Sequence, residues 1–162
     1  MQNRLHTVEK IGGTSMSRFG EVMNNVIIAG RTGGDLYQRI FVVSAYSGVT
    51  NALLEDKKTG APGVYAHFAA GRPEWKTRIE EVRALLKTKN RMFESLGLDL
   101  VAADAFVDDR LNGILESLED LMSLRAYGHL APEHYLPASC EMLAAIGESH
   151  SAFNSADILR RH

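Results

Sequence analysis

The spacing of apolar positions changes twice in the first part of the chain. Residues 5–11 form a short run of apolar and β-branched side chains that ends at a glycine pair, and residues 39–46 (RIFVVSAY) form a nearly continuous apolar run. Both runs are typical of β-strands, and the second is typical of a central strand. Between them, apolar residues recur at steps of three and four, which predicts an amphipathic helix that glycines bring to an end. These residues are Phe19, Val22, Met23, Val26 and Ile27, and the glycines are Gly30, Gly33 and Gly34.

A strand, a helix and a strand in this order predict a βαβ unit over residues 1–57. Such a unit pairs its strands in parallel and carries its functional loops beyond their carboxyl ends. The two candidate functional loops are therefore residues 12–17 and residues 47–51.

The rest of the chain is predicted to be helical after an irregular arm. Residues 58–73 are rich in Gly and Pro, which favours an arm with at most a short helical turn at residues 64–69. Residues 74–130 contain two stripes at helical spacing, the first excess basic and the second excess acidic, which predicts an antiparallel helical hairpin. Residues 131–162 are expected to be a proline-bracketed link up to Pro137, then an apolar helix from about Ser139. The stripes are Trp75, Ile79, Val82, Leu86, Phe93 and Leu96, and Phe106, Leu111, Ile114, Leu118, Leu121 and Met122.

Two predicted strands are few for so many apolar helix faces. Parallel sheets are normally buried on both sides and have more members. The expected fold class is therefore α/β with an incomplete domain, whose missing strands would follow His162.

Composition excludes several classes of function. Eighteen Lys and Arg against 20 Asp and Glu give a net charge of −2, so neither nucleic acid nor a membrane surface is an expected partner. The single cysteine, Cys140, and six histidines without ligand spacing predict no disulfide framework and no metal cluster. Because neither a membrane span nor a signal peptide is visible in the sequence, we expect a cytoplasmic protein.

The loop after the first strand has the composition of a phosphate site. Glycines let a backbone approach an anion, amides at a helix start donate to it, and a lysine adds positive charge. This combination suits ATP, although it matches neither GxxxxGK[ST] nor GxGxxG, and a tight turn with a surface lysine explains it equally well. The candidate residues are Lys10, Gly12, Gly13, Thr14 and Ser15.

The loop after the second strand is rich in short polar side chains. Ser44, Ser47, Thr50 and Asn51 surround a glycine and could bind a small polar substrate at the edge of the sheet. The alternative is that Ser47 or Thr50 caps a helix. Further along, Glu148 is an acidic residue in an apolar helix, and the alternative there is a partly exposed helix residue.

Three segments together resemble a known family. KIGGTS after the first strand, VVSAYSGVTNALLE after the second, and AIGESHSAFNSADIL near the end resemble the aspartokinases, which have the amino-acid kinase fold. The three segments occur in the family's order across the whole chain. The runs EKIGGTSMSRF and KKTGAPGVYAHFA are most similar to the aspartokinases associated with ectoine synthesis.

The resemblance implies a site and an activity. Lys10 would contact the transferring phosphoryl group, while Ser44, Thr50 and Glu148 would bind L-aspartate, with ATP and Mg²⁺ as cofactors. Ile11 stands where the family usually has phenylalanine, which is a conservative change. The family's downstream arginine and aspartate motif, most of its adenosine pocket and its ACT domains have no counterpart, so this segment alone is expected to be inactive.

Two alternatives to aspartate kinase remain open. A kinase of the same fold could act on another small acid such as glutamate. A noncatalytic fragment could instead associate with itself through exposed apolar surface, and a homodimer or higher homo-oligomer is expected on the same ground.

Overall fold

The chain begins with a parallel pair of strands. The computed structural model describes residues 6–162, so the predicted strand start at Leu5 lies outside the described residues. Strand β1 is Thr7–Ile11 and strand β2 is Arg39–Val43, with Lys10 opposite Val42 in the register. The predicted parallel pair is therefore confirmed.

The predicted helix between the strands is divided into short pieces. Helix α1 is Gly13–Met16, helix α2 is Phe19–Val22, and a π-helical segment, Met23–Ile28, continues it. Four of the five predicted apolar positions are buried, whereas Val26 is 41% exposed. The segment ends where Ala29 and Gly30 both adopt positive φ angles, of 42° and 73°. A 3₁₀ turn, Gly33–Leu36, then leads to β2.

Strand β2 is shorter than the predicted run. It ends at Val43 because β1 ends at Ile11, directly opposite, and leaves no further strand partner among the described residues. Ala45 and Tyr46 are buried nonetheless, since they lie in the loop before helix α3 (Val49–Leu53) and pack into the core. The apolar run therefore marked burial correctly and the end of the strand incorrectly.

The two faces of the sheet differ. Alternate side chains of a strand point to opposite faces, and on one face Ile11 is buried and Val43 half-buried. On the other face Val8, Ile40 and Val42 are 68%, 51% and 49% exposed, and we call these three the open face. Among residues 6–162 the sheet has two strands, so β2, predicted to be central, has one strand neighbour here.

Arg39 joins the strands to the end of the π-helical segment. Its Nε and Nη2 each lie 2.6 Å from a carboxylate oxygen of Glu9 on β1, and its Nη1 donates to the carbonyl of Ile27 at 2.7 Å. Nη2 also donates to the carbonyl of Val26 at 3.0 Å. The hydrogen bonds from Arg39 lower the pKa of Glu9. One side chain therefore connects three segments of the βαβ unit.

The Gly- and Pro-rich arm contains the short helix that was predicted. Helix α4 is Val64–Ala69, and an antiparallel bridge pairs Glu55 with Pro62. A Cβ atom at Gly63 would lie 2.5 Å from the carbonyl oxygen of Ala52, so the arm packs closely on α3.

The helical hairpin is present and antiparallel. Helix α5 is Trp75–Arg91 and helix α6 is Leu100–Ala126, joined through a 3₁₀ turn at Glu94–Leu96 that carries the last apolar residue of the first predicted stripe. Ion pairs run in opposite order along the two helices: Lys76 with Glu119, Arg83 with Asp108 at 2.9 Å and Lys87 with Asp108 at 2.7 Å. The charge imbalance predicted this pairing.

The last helix begins earlier than predicted. Helix α7 is Pro132–Arg160, so the expected link up to Pro137 is helical. Pro132 occupies a helix start, where a missing N–H costs nothing. Pro137 removes one hydrogen bond, to the carbonyl of Glu133, and both residues are exposed, so water can replace the lost donor.

A buried polar cluster joins α5, α6 and α7. Asn90 Nδ2 donates to the Asp104 carboxylate at 2.8 Å, which leaves Asn90 Oδ1 to accept. Asn154 Nδ2 lies 2.8 Å and His150 Nε2 lies 2.6 Å from that oxygen. Because Asn90 Oδ1 is an acceptor, its close contact with His150 Nε2 requires a proton on that nitrogen. The amide of Asn90 cannot be turned to offer its nitrogen instead, because that nitrogen already faces the Asp104 carboxylate, which can only accept. We call Asn90, Asp104, His150 and Asn154 the amide–histidine cluster.

The cluster should make stability depend on pH. Burial lowers the pKa of His150 from 6.5 to about 4, and the nearby Asp104 opposes this effect. In the unfolded chain His150 therefore binds a proton near pH 6.5, whereas in the folded chain it does so only near pH 4. The free energy of unfolding thus falls as the pH drops from about 6.5 towards 4. Between pH 6.5 and 5 the wild type should lose about 1.5 kcal/mol more unfolding free energy than His150→Gln.

Urea denaturation of both proteins at the two pH values measures this difference. The titration of every other carboxyl and histidine is common to both proteins and cancels. Equal losses would mean that His150 is not held neutral by the fold.

Candidate functional site

The loop after β1 (residues 12–17, the phosphate loop) and the loop after β2 (residues 44–51, the polar loop) meet at the carboxyl ends of the two strands. The amide of Ser44 donates to the carbonyl of Ile11 at 3.0 Å, and the amide of Ser47 donates to the Ser17 hydroxyl at 3.1 Å. A Cβ atom at Gly13 would lie 2.7 Å from the carbonyl oxygen of Ala45, so glycine is required there for close packing. The two predicted loops are therefore neighbours.

The middle of α7 packs on the polar loop. At Gly147 a Cβ atom would lie 2.6 Å from the Ala45 Cβ and 3.2 Å from Val49 Cγ1. The Ser151 hydroxyl lies 2.9 Å from the Ser44 carbonyl oxygen and 3.0 Å from that of Glu148. One hydroxyl thus connects the backbones of two predicted substrate-binding residues.

Glu148 lies at the margin of the buried face of α7. Successive residues of an α-helix are rotated by about 100°, so Glu148 flanks the face on which Gly147 and Ser151 touch the loop. It is exposed, and no hydrogen bond or ion pair holds its carboxylate within residues 6–162. The fold of the described residues therefore leaves this carboxylate without a protein partner.

The two predicted hydroxyl ligands are also unengaged. Ser44 and Thr50 are half-buried, and neither hydroxyl has a hydrogen-bond partner in the described part of the chain. Helix α3 begins after Gly48, which has a φ of 87° and makes no side-chain cap. The alternative that Ser47 or Thr50 serves as a helix cap is therefore wrong.

The two glycines of the phosphate loop have different surroundings. Gly12 has a φ of −77°, which any residue adopts, and a Cβ atom there would meet nothing within 4 Å. The described fold thus gives no internal reason for glycine at position 12, in contrast with Gly13. Beside it, the first amides of α1 (Gly13–Met16) have no backbone acceptor among the described residues, as is usual for a helix start.

Lys10 is exposed on the sheet face that carries Val8 and Val42. Among the described residues, no hydrogen bond or ion pair joins it to Ser44, Thr50 or Glu148. Of the remaining loop residues, Thr14 is exposed and Ser15 is half-buried.

Sequence reasoning missed the residues that fix the site. Gly147, Ser151 and Ser155 are small and recur every four residues along α7, a spacing that puts them on one face. Ser17, which receives the Ser47 amide, gave no comparable signal.

Two further properties concern the described residues only. None of their helices combines the length and apolarity that crossing a membrane requires. No group of three or more His, Cys, Asp or Glu side chains in residues 6–162 is arranged to hold a metal ion.

Comparison with known proteins shows the class of protein that this chain is similar to. Almost the whole chain is similar to part of an aspartokinase, which confirms the resemblance that the three sequence segments indicated. The relative is the aspartate kinase Ask_Ect of Stutzerimonas stutzeri (strain A1501), 52% identical over 159 residues. The match covers 97% of this chain and 33% of the relative, so the chain spans about a third of that kinase. No family model and no solved structure matches the chain.

Gly147→Ala should separate α7 from the polar loop. The added methyl would overlap the Ala45 Cβ and press on Val49, and overpacking of this kind typically costs about 1–3 kcal/mol. Gly113→Ala is the matched control, because it lies in the exposed surface of α6 with nothing within 4 Å. There the better helix propensity of alanine should stabilise by about 0.5–1 kcal/mol.

Urea denaturation of both variants and the wild type tests this pair. An unchanged or raised stability of Gly147→Ala would contradict the close packing of α7 on the loop.

Proposed function

We propose that this chain is the N-terminal portion of an aspartate kinase, which transfers the γ-phosphoryl group of ATP to the side-chain carboxylate of L-aspartate. The product would be 4-phospho-L-aspartate, the first intermediate of aspartate-family biosynthesis. The main support is that the phosphate loop, the polar loop and α7 meet beyond the carboxyl ends of the strands. There the Ser151 hydroxyl lies between the backbones of Ser44 and Glu148.

The polar loop and α7 supply groups that suit an amino-acid substrate. The Glu148 carboxylate would accept hydrogen bonds from the substrate ammonium, and the hydroxyls of Ser44 and Thr50 would bind its carboxylates. All three groups are unengaged within the described chain and lie on segments that touch one another. A free carboxylate and two free hydroxyls on segments that touch favour a substrate that carries both charges.

The phosphate loop would hold the other substrate. Gly12 leaves open space where a phosphate could approach the backbone, and the amides that open α1 could donate to its oxygens. Lys10 would add a positive charge from the neighbouring strand. These residues are proposed to bind and orient ATP.

The reaction itself needs little covalent help. An oxygen of the aspartate side chain attacks the γ-phosphorus, the bond from that phosphorus to the bridging oxygen of the β-phosphate breaks, and ADP leaves with that electron pair. No proton needs to be removed, because the attacking carboxylate is already ionised. Mg²⁺ would enter on the ATP phosphates and neutralise part of their charge.

The name of the relative extends the proposal to a pathway. The relative is called Ask_Ect, and the residues resemble the ectoine-associated aspartokinases. We therefore propose ectoine synthesis as the branch that this kinase serves. A substrate panel of aspartate, glutamate and their analogues tests the acceptor, and a preference for glutamate would replace the aspartate assignment.

We call the full-length enzyme of which this chain is proposed to be a portion the longer kinase. In it, Lys10→Met should reduce turnover by about a thousandfold or more, because the positive charge that stabilises the transferring phosphoryl group would be lost. The KM for aspartate should change little, since Lys10 does not touch the acceptor residues. Hydroxamate trapping of the acyl phosphate measures the rate. Lys58→Met, an exposed lysine in the arm, is the matched control and should retain full activity.

A loss of less than tenfold in Lys10→Met would contradict the role given to this lysine. Equal losses in both variants would indicate a general effect of surface charge.

A second candidate function is self-association without catalysis. The open face of Val8, Ile40 and Val42 favours it, because exposed apolar surface of this kind usually finds a partner. In this case the chain would form homodimers, and two copies would cover each other's sheet.

Sedimentation and calorimetry of the 162-residue chain separate the two candidates. Concentration-dependent dimers without heat from ATP or aspartate would favour self-association. Replacing Val42 by Thr should weaken such dimers, while Val101→Thr, the same change at a more exposed position on α6, should not. A monomer at all concentrations would exclude this candidate.

A further inference from the structure

The amide–histidine cluster lies directly behind the proposed acceptor site. His150 and Asn154 belong to α7, which also carries Glu148, and both bond to Asn90 on α5. The His150 ring meets the Tyr46 ring edge-on, with ring centroids 5.4 Å apart. Tyr46 belongs to the same loop as Ser44. The cluster therefore contacts both segments that carry proposed acceptor residues, which are α7 and the polar loop.

The cluster and Ser151 hold opposite flanks of one helix face. With about 100° between residues, His150 lies on one side of Gly147 and Ser151 on the other. His150 is fixed by Asn90, and Ser151 is fixed by the Ser44 carbonyl. Two anchors on either side of the Gly147 contact resist rotation of the helix about its axis.

Rotation is the motion that would displace Glu148. Buried side chains such as Leu143 and Ile158 set the overall roll of α7. Gly147 itself has no side chain to interlock with the loop, so beside it the rotation depends on its buried neighbours His150 and Ser151. Glu148 projects from the flank beside Ser151, and a roll of one residue step would carry its carboxylate away from Ser44. A polar bond whose partners are all buried is suited to define this angle, because breaking it leaves unpaired groups in the interior.

We propose that His150 is a positioning residue for the amino-acid acceptor, acting through its Nε2–H bond to Asn90, which fixes the rotation of α7 and thereby the place of Glu148 beside Ser44. This inference rests on the proposed function and deepens it. His150 does not touch the substrate and takes no part in proton transfer.

The chemistry of the ring makes the proposal specific. Asp104 orients the amide of Asn90, so only a donor at the Nε2 position completes the cluster. His150 Nδ1 is buried and has no hydrogen-bond partner among the described residues, so it contributes nothing to the anchor. A glutamine amide can place its N–H near the Nε2 position, whereas the shorter asparagine amide reaches only the Nδ1 position.

Three variants of the longer kinase test this assignment. In His150→Leu and His150→Asn the KM for aspartate should rise at least tenfold, while the KM for ATP stays within twofold. In His150→Gln the KM for aspartate should stay within threefold of the wild type. His134→Leu, an exposed histidine on the same helix, is the matched control and should change neither constant.

Each other outcome overturns the proposal. An unchanged KM for aspartate in His150→Asn, or equal increases in His150→Gln and His150→Asn, would remove the role of the Nε2 donor. Equal increases in both KM values would indicate a general loss of structure.

A measurement on the wild-type chain guards against variants that do not fold. Nitrogen-15 spectra of the imidazole at pH 7 should place the single proton of His150 on Nε2, and a proton on Nδ1 would overturn the proposal. If the wild-type kinase forms no acyl phosphate from ATP and aspartate, the proposed function has failed. If it does, and Lys10→Met and Glu148→Gln lose activity while His150→Leu keeps its KM values, only the positioning role has failed.

Discussion

The close approach of α7 to the loop after β2 is the contact on which the site depends. At Gly147 the helix backbone comes so near to Ala45 and Val49 that no side chain fits between them. Because of this approach, the Ser151 hydroxyl can reach the Ser44 carbonyl, and residues more than a hundred positions apart in sequence form one surface. Any larger residue at position 147 would hold the helix away, and Glu148 would then lie on a surface without the rest of the site.

Much of the fold could be predicted from periodicity and charge. The parallel strands, the buried stripe of Phe19, Val22, Met23 and Ile27, and the hairpin of α5 and α6 follow from patterns that local sequence carries. The hairpin was the clearest case, because opposite charge imbalances favour the pairing of two helices and a short connection makes that pairing antiparallel. Arg83 with Asp108 shows the pairing. The two loops were also found, since parallel strands bring their carboxyl ends to one edge.

The errors arose where tertiary contacts decide local structure. The apolar run through Tyr46 indicated a strand, yet the strand ends at Val43 because its partner ends opposite, and Tyr46 is buried by rings from other segments. Pro132 and Pro137 were interpreted as a link, although one proline begins a helix and the other loses a single exposed bond. The amide–histidine cluster was missed as well. Asn90 continues the stripe of α5 four residues after Leu86, and His150 and Asn154 share a face of α7, but the spacing does not reveal that they meet.

Arg39 makes the opening of the βαβ unit a single event. Its guanidinium bonds at once to Glu9 on the neighbouring strand and to the last carbonyls of the π-helical segment, Val26 and Ile27. Neither separation of the strands nor fraying of that segment can occur without breaking hydrogen bonds to the Arg39 guanidinium. The amides of β1 and of residues 24–28 should therefore exchange with deuterium as one cooperative group, protected by a shared opening free energy, even though the chain between the strands is built of short and irregular helices.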